Sequence, residues 1–377
     1  MNIPYGKQWI DEEDIQEVVK VLKSDWITQG PMVEKFEKKV AEYCIVKYAV
    51  AFNSGTAALH AAYYAAGLKA GDEIITSPIT FTATSNAAIF LGAKPVFCDI
   101  DFNTYCIDVD KIEEKITKKT KIITPVSYAG YPVDIESIKE IAKKYNIIVI
   151  EDAAHALGAI RNGKKVGSEA DMTILSFHPV KHITTGEGGM VLTNNEEFYE
   201  KLKLFRTHGI TKDNSKLSKI EGPWYYEMID LGYNYRIPDI LCALGYSQMS
   251  KIEVFVERRN YIAKKYDDAF EGVKEITIPP RPNKNSRHAY HLYPILINNP
   301  EKRRIVFEKL REKGIFAQVH YIPVHLQPYY RKNFGYKIGD YPMAEEFYKR
   351  EISIPIFPKM TEEEINYVIQ SVLEAIK

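Results

Sequence analysis

Short runs of apolar, β-branched residues alternate along the first half of the chain with segments whose apolar residues recur at helical spacing. In segment 11–23, Ile15, Val18, Val19 and Leu22 would share one helix face after an acidic first turn. Strand-like runs lie at 48–52, 73–77, 94–100, 121–128, 146–152, 171–177 and 190–194. Helices are predicted at 32–45, 56–67, 80–91, 108–117 and 134–145. This alternation predicts an α/β fold with a mostly parallel sheet.

The pattern changes after about residue 250. A long charged helix is predicted at 250–271, and a Pro-rich passage at 279–294 leads into a strand. A further helix at 300–313, a strand-like run at 314–324 and a C-terminal helix from about 361 follow. We therefore predict a large α/β domain over residues 1–250, which includes an N-terminal arm over 1–30. A small C-terminal α+β domain is predicted over residues 251–377.

Charge and cysteine content exclude several classes of protein. The 377 residues include 50 basic and 50 acidic side chains, and a zero net charge argues against a dedicated nucleic-acid binder. No apolar run reaches the roughly 18 residues of a membrane span, and the N-terminus is too polar for a signal peptide. The spacing of Cys44, Cys98, Cys106 and Cys242 fits neither a metal site nor a disulfide framework. These features predict a cytoplasmic protein without a metal.

The motif NSGTAAL at 53–59 follows a predicted strand and opens a predicted helix. Ser54, Gly55 and Thr56 would lie at the helix N-terminus, where unpaired N–H groups and the positive end of the dipole suit a phosphate. The alternative is that Asn53 or Ser54 only caps the helix. The motif is not a Walker A loop, because GxxxxGK[ST] is absent.

Asp152 closes a buried apolar run, and His155 follows three residues later. A buried charge that loses its partner costs on the order of 3–5 kcal/mol, so this carboxylate needs one. It could cap the next helix, or it could hold a cation at the end of the strand. In a helix, His155 would share a face with Asp152.

Lys181 lies among small and hydroxyl residues in SFHPVKHITTGEGGMV. His178 and His182 flank it, but Pro179 disfavours a helix, and no cysteine or carboxylate lies at a spacing suited to a metal. A lone lysine is usually a solvated surface residue. In an apolar loop bounded by glycines, however, burial would lower its pKa toward the amine form.

A phosphate cradle, a buried carboxylate and an amine at one sheet edge are the set that pyridoxal phosphate chemistry needs. The lysine would bind the cofactor covalently, and the carboxylate would keep the pyridine nitrogen protonated. The helix N-terminus would hold the phosphate, and the released lysine amine could shuttle a proton.

Seven ordered segments carry a resemblance to a known family: TQGPMVEKFE, FNSGTAALHAA, TSPITFTATSNAAI, EDAAHALGA, SFHPVKHITTGEGGMVLTN, FRTHGI and LGYNYRIPDILCALG. Over essentially its whole length the chain resembles the DegT/DnrJ/EryC1/StrS sugar aminotransferases. The resemblance implies the type I aminotransferase fold, pyridoxal 5'-phosphate (PLP) and a homodimer. Some members are dehydratases with His in place of the lysine, and Lys181 argues against that activity.

The resemblance also assigns cofactor contacts. Lys181 matches the lysine that binds PLP, and Asp152 matches the partner of the pyridine nitrogen. Phe81 would stack on the ring, although it could equally be a core residue. His155 matches a position that is often Gln in the family, and the residue there binds the phenolic oxygen of PLP. The phosphate ligands would be Gly55, Thr56 and Ser176, together with Ser54 at the helix N-terminus. Asn234 would reach the phosphate of the cofactor in the other subunit.

Within the family, AHALG, HLYPIL, GIFAQVHYIPV and EISIP resemble the aminotransferases of pseudaminic acid biosynthesis. These act on C4 of UDP-2-acetamido-2,6-dideoxy-β-L-arabino-hexos-4-ulose, with L-glutamate as the expected donor. The resemblance implies substrate contacts at Tyr5, Asp25, Trp26, Ile27, Thr28, Gly55, Ser176, Asn234, Gln318, Val319, His320 and Tyr321. For His320 and Tyr321 the alternative is simple packing.

Several alternatives stay open. Arg206, Arg236 and Arg331 are candidates for binding the diphosphate, although each could be an ordinary surface charge. The scaffold would also suit a dTDP- or UDP-D-4-keto-sugar aminotransferase, a sugar dehydratase or a regulator without catalytic activity.

Overall fold

The computed structural model describes residues 1–377 as sixteen β-strands and twelve α-helices. The strands are β1 (Ile3–Pro4), β2 (Tyr48–Phe52), β3 (Glu73–Thr76), β4 (Lys94–Phe97), β5 (Thr120–Thr124), β6 (Ile148–Asp152), β7 (Ile160–Arg161), β8 (Lys164–Lys165), β9 (Met172–Ser176), β10 (Gly189–Thr193), β11 (Ile210–Thr211), β12 (Glu227–Met228), β13 (Ile276–Thr277), β14 (Tyr293–Ile297), β15 (Ile315–Phe316) and β16 (Glu351–Ile354). The helices are α1 (Glu12–Leu22), α2 (Pro31–Cys44), α3 (Gly55–Ala65), α4 (Ala83–Ile89), α5 (Ile135–Tyr145), α6 (Glu196–Arg206), α7 (Asp239–Met249), α8 (Ile252–Phe270), α9 (Arg303–Glu312), α10 (Pro328–Phe334), α11 (Pro342–Arg350) and α12 (Glu362–Ala375).

A seven-stranded sheet organises the first half of the chain, with strand order β2-β10-β9-β6-β5-β3-β4. β10 is antiparallel to both of its neighbours, and the other pairs in the sheet are parallel. The predicted mostly parallel sheet is therefore confirmed. Its parallel strands end at one edge, where Asp152 closes β6, Ser176 closes β9 and Ser54 follows β2.

Both faces of this sheet are covered, which explains the nearly continuous apolar strands. In β2, Ala49 and Ala51 face a core built with α2, α7 and the start of α8. The alternate residues Val50 and Phe52 face a core built with α3 and α6. Because successive side chains of a strand point to opposite faces of the sheet, this one short segment contributes to both cores.

The C-terminal region adds a three-stranded antiparallel sheet of β13, β14 and β16 with its own core. The long helix α8 contributes to both regions, because Phe255 lies in the core of the large sheet and Tyr266 in the C-terminal core. β1 at the N-terminus pairs in parallel with β15. Tyr330 and Tyr341 pack against Phe97 of the edge strand β4. A domain boundary at residue 250 stays a prediction.

Two predicted elements are wrong. The segment 108–117 forms two 3₁₀ turns, because the Asp108 side chain closes a tight turn by accepting from the Asp110 N–H, and the backbone is extended again at Ile116. In segment 314–324 only Ile315 and Phe316 form a strand, after which the chain leaves the sheet. Helices α6, α7, α10 and α11 were not predicted. None of the twelve helices is long and apolar enough to cross a membrane.

Candidate active site

A cavity of about 680 Å³ opens at the carboxyl edge of the parallel strands. Eleven of the residues predicted from the sequence line it: Tyr5, Ser54, Gly55, Thr56, Phe81, Asp152, His155, Ser176, Lys181, His320 and Tyr321. They come from the N-terminus, from the ends of four strands or the loops that follow them, and from a C-terminal loop. The fold thus gathers into one space residues that are up to 316 positions apart in the chain.

The N-terminus of α3 forms one end of the cavity. The Ser54 hydroxyl accepts a hydrogen bond from the Ala57 N–H at 3.1 Å, so Ser54 does cap the helix. The first N–H groups of a helix have no acceptor within it, so those of Gly55 and Thr56 remain open to a ligand. A Cβ at Gly55 would lie only 3.3 Å from that of Ser176. Glycine thus leaves a small cradle beside the Ser176 hydroxyl, which suits a phosphate.

Asp152 is almost fully buried in the cavity wall. Its Oδ2 accepts from Thr84 Oγ1 at 2.7 Å, and its Oδ1 accepts from the Ala154 N–H at 3.2 Å. Burial raises the pKa of this carboxyl, while those bonds and the charge of Lys181 oppose the rise. Residues 153–158 form turns rather than a helix, so helix capping by Asp152, and a helix face shared with His155, are wrong. Successive turns nonetheless place His155 at the same cavity.

Lys181 lies in the loop that follows β9, and backbone hydrogen bonds hold the two ends of this loop together. The Phe177 N–H donates to Gly188 O at 2.9 Å, and the Thr185 N–H donates to Phe177 O at 3.0 Å. Burial lowers the pKa of Lys181 to about 8, although the Asp152 charge acts in the opposite direction. A fraction of the Lys181 side chains is therefore unprotonated near neutral pH, and only this amine form is nucleophilic.

His155 is held as a neutral hydrogen-bond donor. The Ala129 N–H donates to its Nδ1 at 3.3 Å, so the proton of the neutral ring lies on Nε2, 3.1 Å from the Tyr321 hydroxyl oxygen. Burial and the nearby Lys181 charge keep the pKa of this imidazole well below its usual range. A neutral N–H at this position suits a phenolic oxygen.

Two further residues at the site were not predicted. Nε2 of the buried His291 lies 3.4 Å from the Lys181 Nζ, and its Nδ1 has no hydrogen-bond partner. Thr84 supports Asp152, as described above. Thr84 lies in a segment that carries the family resemblance, and His291 lies in HLYPIL. Their contacts span 68 and 110 residues, which a single sequence does not reveal.

Other predicted residues lie away from the cavity. Asp25, Trp26, Ile27, Thr28 and Asn234 are exposed. Gln318 and Val319 precede His320 but do not line the cavity. None of the three candidate arginines lines it either, and Arg206 forms an ion pair with Glu37 at 2.6 Å. The functional roles of these residues stay predictions.

Comparison with known proteins identifies the class. The profile of the DegT/DnrJ/EryC1/StrS aminotransferase family matches residues 8–373. An uncharacterised protein of Methanocaldococcus jannaschii is 48% identical, with 99% of this chain and 97% of that protein covered. A Campylobacter jejuni UDP-4-amino-4,6-dideoxy-N-acetyl-beta-L-altrosamine transaminase is 43% identical, with 100% and 98% covered.

A solved structure agrees over the same extent. Helicobacter pylori PseC, an aminotransferase involved in the biosynthesis of pseudoaminic acid, superposes with a TM-score of 0.94 at 36% identity, covering 100% of this chain and 99% of that one. The fold and the site define a PLP-dependent aminotransferase of the type I fold. The chain belongs to the DegT/DnrJ/EryC1/StrS aminotransferase family.

The residues present fit the cofactor that this family uses. When bound, PLP supplies an electron sink for a carbanion beside the amino nitrogen of the substrate. The Gly55–Ser176 cradle would hold its phosphate, and Asp152 would keep a proton on the ring nitrogen. Lys181 has an accessible amine form with which to bind the cofactor and then move a proton. Phe81, with 58% of its surface exposed toward the open cavity, is free to lie against the ring.

Proposed function

We propose that this aminotransferase acts on a UDP-linked 4-keto-6-deoxy sugar. The substrate would be UDP-2-acetamido-2,6-dideoxy-β-L-arabino-hexos-4-ulose, aminated at C4 with L-glutamate as the donor. The observation that carries the proposal is the site itself, in which the Lys181 amine, the Asp152 carboxylate and the Gly55–Ser176 cradle face one cavity. The full-length similarity to a named UDP-sugar transaminase supports the choice of sugar.

The aromatic side chains that line the cavity suit a sugar. The ring centroid of Tyr5 lies 5.1 Å from that of His320, and Phe81 and Tyr321 are 6.1 Å apart. Aromatic faces pack against the apolar C–H face of a hexose, while the hydroxyl and imidazole groups bond its polar edge. Lys181 is the only Lys or Arg side chain that lines the cavity.

That single cation favours a second copy of the chain as part of the site. A UDP-sugar carries a diphosphate and L-glutamate carries carboxylates, so both substrates need more positive or N–H-rich partners than one chain supplies. Large apolar side chains are exposed on the surface and would be covered in a dimer: Leu22, Trp26, Ile27, Trp224, Met228 and Leu231. We therefore infer a homodimer in which Asn234 of one subunit reaches the other's cofactor phosphate.

The reaction is tested with purified protein, L-glutamate and separate UDP- and dTDP-4-keto sugars. We expect NMR of the product to show a new amine at C4 of the L-arabino UDP-sugar, and no product from Lys181→Ala. Amination of dTDP-sugars alone would overturn the proposed substrate. Loss of a sugar hydroxyl without amination would identify a dehydratase, and bound cofactor without any turnover would favour a regulator.

A further inference from the structure

Glu351 is a buried carboxylate for which the chemistry above has no use. It lies in β16 with no exposed surface and forms no ion pair. Its Oε2 accepts from the backbone N–H of His320 at 2.8 Å, and its Oε1 accepts from the Ser353 hydroxyl at 2.5 Å. A charge in this position is costly, so the carboxyl readily takes up a proton.

Ser353 links this carboxyl to the cavity. Its hydroxyl oxygen lies 2.9 Å from Nδ1 of His320. The backbones of Ser353 and Gln318 exchange two hydrogen bonds of 2.8 and 3.1 Å, which fix β16 against the segment that carries His320. The His320 side chain lines the cavity, and its Nε2 forms no hydrogen bond within the chain.

The hydrogen bonds define two states of His320. When Glu351 is ionised, the Ser353 hydroxyl donates to it and must accept from Nδ1–H, so Nε2 presents a lone pair to the cavity. When Glu351 is protonated, its Oε2 still accepts from the backbone N–H of His320. The proton therefore lies on Oε1, which donates it to the Ser353 hydroxyl. The hydroxyl of Ser353 then donates to Nδ1, and Nε2 carries the hydrogen.

We propose that Glu351, Ser353 and His320 form a proton relay that delivers protons to the C4 oxygen of the sugar as this oxygen leaves as water. The use of the relay on a 4-keto sugar rests on the function proposed above. Replacing a carbonyl oxygen with the nitrogen of an amine transfers two protons from nitrogen to oxygen. For each of the two protons, His320 Nε2 accepts one proton from the nitrogen and donates one proton to the oxygen, so the relay is unchanged after the exchange. His320 is the catalytic residue, and Ser353 and Glu351 are positioning residues.

The surroundings set the pH at which the relay changes state. Burial raises the pKa of Glu351 to about 8, opposed by its bonds from Ser353 and the His320 N–H and by the charge of Arg303. Burial and the Lys181 charge lower the pKa of His320 to about 3, so the carboxyl, rather than the imidazole, titrates near neutrality. The other titratable groups that face the relay are Tyr5, Tyr105, Tyr128, His155 and Tyr321.

The first test uses kinetics of the sugar half of the reaction. In Glu351→Gln the side-chain amide donates to Ser353 at every pH, so the His320 proton stays on Nε2. In Ser353→Ala the hydroxyl that links Glu351 to His320 is lost. We expect both variants to lower kcat by about 10²-fold and to lose the limb of the pH profile near 8. Ser353→Thr keeps the hydroxyl and should retain that limb. Glu345→Gln, at a buried glutamate paired with His325 away from the cavity, is the matched control.

The second test needs no activity. In ¹⁵N-histidine-labelled protein as purified, with His320→Asn used for assignment, we expect the His320 proton to move from Nε2 to Nδ1 as the pH rises through about 8. One tautomer at all pH values would overturn the relay. Amination with an unchanged pH profile in Glu351→Gln would also overturn it and leave the proposed function intact. A tautomer switch in a protein that aminates no sugar would support the relay and reject the proposed function.

Discussion

Thr84 donates a hydrogen bond of 2.7 Å to the carboxylate of Asp152, from a helix that begins 69 residues earlier in the chain. The Thr84 side chain thereby fixes one oxygen of the group that would face the ring nitrogen of PLP. It also lowers the pKa of that carboxyl, against the effect of burial. The pair therefore controls both the direction and the charge of Asp152.

Replacement of Thr84 with the isosteric valine is expected to raise the pKa of Asp152, because the bond that favours its charged form is lost. The acid limb of kcat against pH should move to higher pH, and stability should fall by about 1–3 kcal/mol, since a buried acceptor loses its partner. Steady-state kinetics and urea unfolding measure the two effects. An acid limb that does not move would contradict this role.

Asp152→Ala is expected to abolish transamination while PLP still binds to Lys181, because the pyridine nitrogen would lose the partner that we expect to keep it protonated. Asp152→Asn, which keeps the shape but not the charge, should be nearly as inactive. The absorbance of the bound cofactor and circular dichroism distinguish this result from unfolding. Full activity in either variant would exclude the assigned role.

Capture of PLP by the cofactor-free protein is expected to accelerate as the pH rises through about 8, the pKa to which burial lowers Lys181. Below this pH the ammonium form dominates and cannot attack the aldehyde. Stopped-flow absorbance gives the rate, and borohydride reduction followed by peptide mapping locates the attached residue. A rate that still climbs up to the pKa of an ordinary lysine would show that Lys181 is not buried during capture.

Ser54 allows the capping role to be separated from the phosphate role. Ser54→Asp keeps an acceptor for the Ala57 N–H, so stability should be retained, but its charge would repel the phosphate and lower PLP affinity. Ser54→Ala should instead lose about 1 kcal/mol of stability through the missing cap. Ser54→Thr is the matched control for both. Unchanged PLP affinity in Ser54→Asp would place the phosphate elsewhere.

If Asn234 completes the neighbouring site, two inactive variants should complement each other. Lys181→Ala and Asn234→Ala each damage both sites of their own dimer, whereas a mixed dimer contains one site with both residues intact. Unfolding and refolding the two together should restore activity that neither shows alone. Sedimentation measures the assembly. A mixture that remains as inactive as its components would show that Asn234 acts within its own chain.

The sequence indicated the site better than it indicated the elements that support it. Lys181, Asp152 and Gly55 could be predicted to lie at one site because each lies at the end of a strand or in the loop that follows it, where polar or flexible residues interrupt an apolar run. The partners Thr84 and His291 could not, because their roles depend on contacts between distant segments. Segment 108–117 has the composition of a helix, but the local bond from the Asp110 N–H to the Asp108 side chain favours tight turns.

The pairing of β1 with β15 joins Ile3 to Ile315, which lies 312 positions later in the chain. The Ile356 N–H also donates to Tyr5 O at 3.1 Å, so the arm that carries Tyr5 has no docking place until the last strand has emerged. Residues 53–188, which would supply the cradle for the PLP phosphate, are made much earlier. During synthesis the nascent chain therefore exposes an unfinished pocket, and the wall that carries Tyr5 and His320 is added only after β15 and β16 have emerged.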